Sequence, residues 1–244
     1  MSNYPVNKTD PGSNERPQTL VQNAMHAIIE HIRQNKLVVG DKLPSEAIFV
    51  EKLAVSRTVV REAFKSLAAI RIIEMSSGRR AQVAAFDDNV FALTLAHALR
   101  TDQINVQQIW DARHTIEIRT VALAALHRSV DEAESIRELS RKMREHYNDV
   151  ALMTEYDIAF HIAIARATRN PLFPVLIASL TAAMRETNPI VWAYRKTQQE
   201  RLEVVLLHEK IAETIGKGDP EAAIDALEQH FGVASSGLLK AGVC

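Results

Sequence analysis

The stretch EYDIAFHIAIARATRNP, Glu155 to Pro171, sets an aspartate and a histidine four residues apart in an otherwise apolar run. At 100° per residue, Asp157 and His161 fall within about 40° of each other on a helix, beside Phe160 and Ile164 and opposite the charged Arg166. The polar pair therefore faces a core. Two further histidines have the same register. His208 shares its face with Val204, Ile211, Ala212 and Ile215, and His230 shares its face with Ala223, Ala226, Leu227, Val233 and Ala234, while the acidic and basic neighbours of both lie outside. Buried imidazoles and a buried carboxylate are costly unless compensated. Two chemistries remove that cost: ordinary hydrogen bonding within a core, or convergence on a divalent metal. One hard oxygen with three imidazoles suits Zn first, then Ni, Fe, Co or Mn, and the i, i+4 spacing lets Asp157 and His161 chelate from one helix. His97, His114, His127 and His146 show no comparable pattern and are expected at solvent or ordinary core positions.

The elements that must carry these donors are helices. Strand-like runs are scarce, the chain holds only 8 glycines in 244 residues, and apolar residues recur at helical spacing. The expected fold is mainly α, with an N-terminal winged helix-turn-helix domain and a C-terminal all-α helical bundle. Residues 1–17, rich in Asn, Pro, Ser and Gly, are expected to form a disordered arm. A winged helix-turn-helix is expected over 18–85, a linker over 86–89 and the helical bundle over 90–240. The bundle should hold six or seven helices, with breaks near Thr101 to Asn105, Ser129 to Asp131, Asn148, Asn170 to Pro174, Asn188 to Pro189 and Gly216 to Pro220.

Composition narrows the function. The 47% hydrophobic and 24% charged residues are those of a globular protein, and no apolar run is long enough to span a membrane. The single cysteine, Cys244, excludes an intrachain disulfide and fits a reducing cytoplasm. Net charge is near zero, yet residues 1–85 hold 12 basic and 8 acidic side chains whereas the remainder hold 17 and 22. Nucleic acid is thus a partner for the first part and not for the second.

Within that basic part, Leu20, Ala24, Met25, Ile28, Ile29 and Ile32 make one helical stripe, and Ser45 can cap a short second helix carrying Ile48, Val50 and Leu53. Ser56 can cap a third, on which Arg57, Thr58 and Arg61 crowd the N-terminal turns while Val60, Phe64 and Leu67 point inward. Such an end presents arginines that fork onto guanine edges and hydroxyls that hold phosphates. Two short strands, Ile72 to Met75 and Ala81 to Val83, flank a turn with Gly78, Arg79 and Arg80 at its tip, a basic wing.

The run GDKLPSEAIFVEKLAVSRTVVREAFKSLAAIRIIE resembles the winged-helix domain of GntR-type bacterial transcription regulators over roughly residues 18–84. The resemblance implies base contacts from Arg57 and Arg61, with Ser56, Thr58 and the wing residues Gly78, Arg79 and Arg80 on backbone or groove. Three positions depart from that pattern: Ala47 where an arginine is frequent, and Arg71 and Arg80 where glycine is usual. Residues 90–235, through DIAFHIAIARATRNP, HEKIAETIGKGDPEAA and the closing EQH, are similar to the all-helical effector domain of the FadR branch (the FCD domain). That likeness implies a metal site of Asp157, His161, His208 and His230 with positions left open for a small carboxylate. It also suggests Arg113 as the carboxylate's second anchor, because Ile109, Ile116, Thr120 and Ala124 share its face; pairing with Glu117 one turn on is the alternative. Asn170 is expected to cap or border the pocket, or to serve the turn alone.

The expected function is a homodimeric, ligand-responsive DNA-binding regulator that reads a pseudo-palindrome and represses a catabolic operon, with an organic or sugar acid as effector. FKSLAAIRIIEM is similar to the galactonate-type members. The competing classes are a metal-dependent hydrolase or lyase with an appended DNA-binding module, and a regulator for which the metal is itself the signal. Against the hydrolase stands the lack of a glutamate on the His208 or His230 faces to act as general base.

Overall fold

The computed structural model describes residues 19–241; the expected arm over 1–17 lies outside the described residues. The chain divides into two compact units, Met1–Phe86 and Asp87–Cys244. In the first, three helices, α1 (Leu20–Gln34), α2 (Glu46–Leu53) and α3 (Arg57–Ala69), precede a two-stranded antiparallel wing, β1 (Ile73–Glu74) and β2 (Gln82–Val83), in the register Ile73 opposite Val83 and Glu74 opposite Gln82. Ala24 and Ile28 of α1 and Val60, Ala63, Phe64 and Leu67 of α3 form its core with Leu43 and Ile73. The expectation for α2 is corrected: Phe49 is buried and Ile48 is exposed, because Phe49 sits edge-on between Phe64 and His31, at centroid distances of 5.6 and 5.5 Å. Leu20, expected in the stripe of α1, is exposed at its first turn. Arg71, where related domains favour glycine, takes a left-handed φ of 59°, and that conformation is why glycine is favoured there.

The second unit has eight helices among the described residues: α4 (Asn89–Arg100), α5 (Val106–His127), α6 (Val130–Glu145), α7 (Val150–Arg166), α8 (Leu172–Ser179), α9 (Thr181–Tyr194), α10 (Gln198–Lys217) and α11 (Pro220–Ala241). Helix α11 packs against α5, α9 and α10, and α7 packs against α5, α6 and α9. The core between them is built from Ile136, Met143, Phe160, Ile164, Val205, Ile211, Ile215 and Leu227. No described helix is long and apolar enough to cross a membrane.

The expected break at Asn188 to Pro189 does not occur, and α9 runs through Pro189. An interior proline costs a helix about 3 kcal/mol; burial of Met184, Thr187, Val191 and Trp192 along α9 offsets that cost. The chain breaks instead after Tyr194, where Thr197 and Glu200 form a capping box that starts α10. Pro174 lies in the first turn of α8, where a missing N–H breaks no bond.

Gly218 closes α10 at φ 76°, and Asp219 Oδ1 accepts from the Ala222 N–H, so the chain reverses into α11. This turn sets the two helices carrying His208 and His230 side by side. A Cβ on Gly218 would stand 2.8 Å from Arg128 Nη2, the atom that donates to the Gly216 carbonyl. Gly218→Ala is expected to cost about 1–2 kcal/mol and lower the unit's melting temperature by roughly 2–8 °C, measurable by calorimetry. An unchanged melting curve would show that the turn tolerates the added methyl.

Candidate metal centre and nucleic-acid interface

Asp157 and His161 lie one turn apart on α7, His208 comes from α10 and His230 from α11, and one donor atom of each lies within 4.8 Å of all the others. The three imidazoles are buried, with ring centroids 4.5 Å apart for His208 and His230, 5.3 Å for His161 and His230, and 5.8 Å for His161 and His208. Phe160 packs edge-on against both His161 and His208 and keeps the cluster dry on that side.

Three of the four donors are oriented by a second group. His208 Nδ1 lies 2.8 Å from the Val204 carbonyl, which requires the proton on Nδ1 and leaves Nε2, 3.0 Å from Asp157 Oδ1, as the ring atom able to ligate. Asn188 Nδ2 donates to Asp157 Oδ2 at 3.0 Å. His161 Nδ1 contacts Glu117 Oε2, and Arg113 Nε donates to the other oxygen of Glu117. His161 Nε2 is 3.7 Å from Asp157 Oδ1. Burial works against ionised Asp157, but the neighbouring His161 and His208 rings and the Arg113 charge hold its carboxyl well below the usual range. Burial likewise opposes ionised Glu117, and Arg113 and His161 prevail. His230 is driven the other way: burial, then the neighbouring His208 and His161, push its imidazole well below its usual range, so it stays neutral with a free lone pair.

The residues fit a divalent ion. Among the described residues, both ring nitrogens of His230 and Nε2 of His161 are buried with no hydrogen-bond partner. Unpaired buried donors of this kind are rare, and three imidazoles with a carboxylate are the set that Zn and related metals take. Glu117 behind His161 and the Val204 carbonyl behind His208 are the outer partners that fix a ligating imidazole.

For Arg113 and Asn170 the structure shows the contacts of the alternative readings, the Glu117 pair and the turn. Arg113 is fully buried, paired with Glu117 and lying over the rings of Trp110 and Phe231; its Nη2 comes no nearer than 4.0 Å to Asp157 Oδ2. It does not wall the adjoining cavity, and its Nη1 and Nη2 are buried beside the cluster without a hydrogen-bond partner. Asn170 is exposed and accepts the Leu172 N–H with Oδ1, a turn role. The cavity is walled instead by Asp157, His208 and His230 with Thr154, Asn188, Trp192 and Arg195. Asn188, Trp192 and Arg195 were not singled out in the sequence, and Glu117 was named only as the alternative partner of Arg113; Asn188 precedes the proline read as a break, and Arg195 sits just past a helix end.

In the first unit, Ser56, Arg57, Thr58 and Arg61 are exposed at the start of α3, and Gly78, Arg79 and Arg80 are exposed in the wing. Ser56 Oγ caps α3 by accepting the Val59 N–H, and Gly78 turns the wing at φ 71°. Among the described residues, none of the four arginines forms an ion pair with the protein.

Residues 20–83 match the model of the bacterial regulatory proteins of the gntR family, and residues 108–233 match that of the FCD domain. The chain belongs to the GntR family. Its relatives include the HTH-type transcriptional regulator LutR of Bacillus subtilis (strain 168), 32% identical over 82% of this chain and 92% of that one. The Glc operon transcriptional activator of Escherichia coli (strain K12) is 28% identical over 83% of this chain and 82% of the activator. The Galactonate operon transcriptional repressor of the same strain is 28% identical over 67% of this chain and 73% of the repressor. A solved structure of Streptococcus agalactiae GntR shares the fold, with a TM-score of 0.67 at 23% identity over 88% of this chain and 99% of that one. This GntR regulator is therefore ligand-responsive and DNA-binding, built from a helix-turn-helix domain and a helical FCD domain, and its FCD domain holds an Asp/His cluster able to take a metal.

Proposed function

We propose that this GntR regulator represses a catabolic operon as a homodimer and senses a small carboxylate at a divalent metal held by Asp157, His161, His208 and His230. The observation that carries the reading is the buried, partnerless imidazole of His230 beside three further donors and a cavity. When bound, the ion supplies a buried positive charge to which an anion can be drawn. Asn188 and His208 orient Asp157, Glu117 orients His161, and Phe160 excludes water. Glu117 is engaged by Arg113 and His161 and is not available as a general base, which favours a sensor over a hydrolase or lyase. The name of one relative speaks of activation and that of another of repression; repression is proposed because displacing a bound repressor is the simplest coupling between a nutrient acid and its catabolism.

On DNA, Arg57 and Arg61 read bases and Arg79 and Arg80 hold phosphates. Arg57→Ala and Arg61→Ala are each expected to cost about 1–3 kcal/mol per half-site and to relax sequence preference. Arg79→Ala and Arg80→Ala should weaken all duplexes alike and reduce the slope of log affinity against log salt by about 0.9 per lost phosphate contact. Fluorescence anisotropy on the gene's own upstream DNA, titrated with salt, tests this. Binding without salt dependence, or wing variants that change specificity while α3 variants do not, would overturn the assignment.

A further inference from the structure

The metal cluster forms one wall of a cavity of about 40 Å³. At the cavity's edge stands Arg195, immediately after α9. It is half-buried, its guanidinium lies 5.1 Å from the Trp192 ring centroid, and it has no ion-pair partner among the described residues. Together with Val191 it lines both the inner cavity and an outer groove of about 300 Å³, whose walls include Glu200, Glu203 and Ser236. The close approach of α11 fixes this position. A Cβ on Gly237 would meet Val191 Cγ1 at 2.7 Å, and Arg195 Nη2 lies 3.8 Å from the same point. Burial lowers the pKa of Arg195, with Asp157, Glu200 and Glu203 opposing. A desolvated cation without a partner is unfavourable, and an anion in the cavity would relieve it. Trp192 adds a buried indole N–H that has no acceptor among the described residues.

We infer that Arg195 is a second anchor of the cavity, which takes a carboxylate between the Asp157, His208 and His230 wall and the Arg195 guanidinium. The inference rests on the proposed carboxylate-sensing role and narrows it to a named residue. The planar fork of Arg195 suits a carboxylate.

The chain carries two tryptophans, Trp110 and Trp192, and both wall this cavity, so intrinsic fluorescence reports its occupancy. Metal-loaded full-length protein is titrated with glycolate, lactate, malate and gluconate, for the natural chain and for Arg195→Met and Arg195→Lys at equal metal content. The expected result is a saturable fluorescence change with at least one of the acids. Affinity for that acid should fall at least about tenfold in Arg195→Met, the loss of a charge-assisted hydrogen bond, with partial recovery in Arg195→Lys. Arg195→Met binding the acid like the natural chain would overturn the anchor and leave carboxylate sensing standing. No response of the natural chain to any acid would remove that reading and this inference together.

Discussion

Stripping the metal with a chelator is expected to lower the melting temperature of the FCD unit by roughly 8–16 °C. A ligand present at about a thousand times its dissociation constant stabilises the state it binds by about 4 kcal/mol, and each kcal/mol shifts a domain of 150–250 residues by about 2–4 °C. The donors come from α7, α10 and α11, so the ion links helices distant in the chain, and the unfolded state offers no assembled site. Without the ion, His230 keeps both ring nitrogens unpaired in the core. Two units need not unfold together, so calorimetry should show one transition moving and the helix-turn-helix transition staying. Asp157→Asn, close in shape and uncharged, should abolish the chelator's effect. Equal melting curves with and without chelator would mean that the cluster is an ordinary polar core.

Glu117→Leu is expected to be the most damaging single substitution behind the site. Arg113 and Glu117 are 1% and 2% exposed, and removing one partner of a buried pair leaves an uncompensated charge at a cost of about 3–5 kcal/mol, or roughly 6–20 °C. Glu117 also holds His161, so metal affinity should fall about 10–100-fold. The two effects are separable. Arg113→Met with Glu117→Leu removes both charges and should recover most of the stability but none of the metal affinity. If the double variant regained both, Glu117 would serve only to neutralise Arg113; if it regained neither, packing over Trp110 and Phe231 would be the larger part of Arg113's contribution.

Much of this was legible from periodicity and caps. Asp157, His161, His208 and His230 each lie in register with aliphatic neighbours, and a helix preserves that register wherever it packs. Ser56 before Arg57 and Gly216 to Pro220 before α11 are local signals that need no tertiary partner. What escaped depends on contacts between elements. The apolar residues on its face mark Arg113 as inward, but its pairing with Glu117 and the contact of Glu117 with His161 depend on how α5 meets α7. Asn188 beside Pro189 has the chemistry of a break, and only the packing of Val191 and Trp192 keeps α9 intact. Phe49 displaced Ile48 because an aromatic ring, not a stripe of branched side chains, fills the space beside Phe64. Arg195 matters for its place at a cavity mouth, which no spacing encodes.

The central claim is that an acid docked beside the Asp157, His161, His208 and His230 ion changes how the protein holds DNA, by favouring one arrangement of its dimer over another. The most direct measurement is the affinity of full-length protein for its own upstream DNA, with and without glycolate or lactate, taken metal-loaded, after chelation, and after metal is restored. The account predicts that acid weakens DNA binding in the loaded protein, has no effect after chelation, and regains its effect on reloading. An acid response that is the same with and without metal would contradict it.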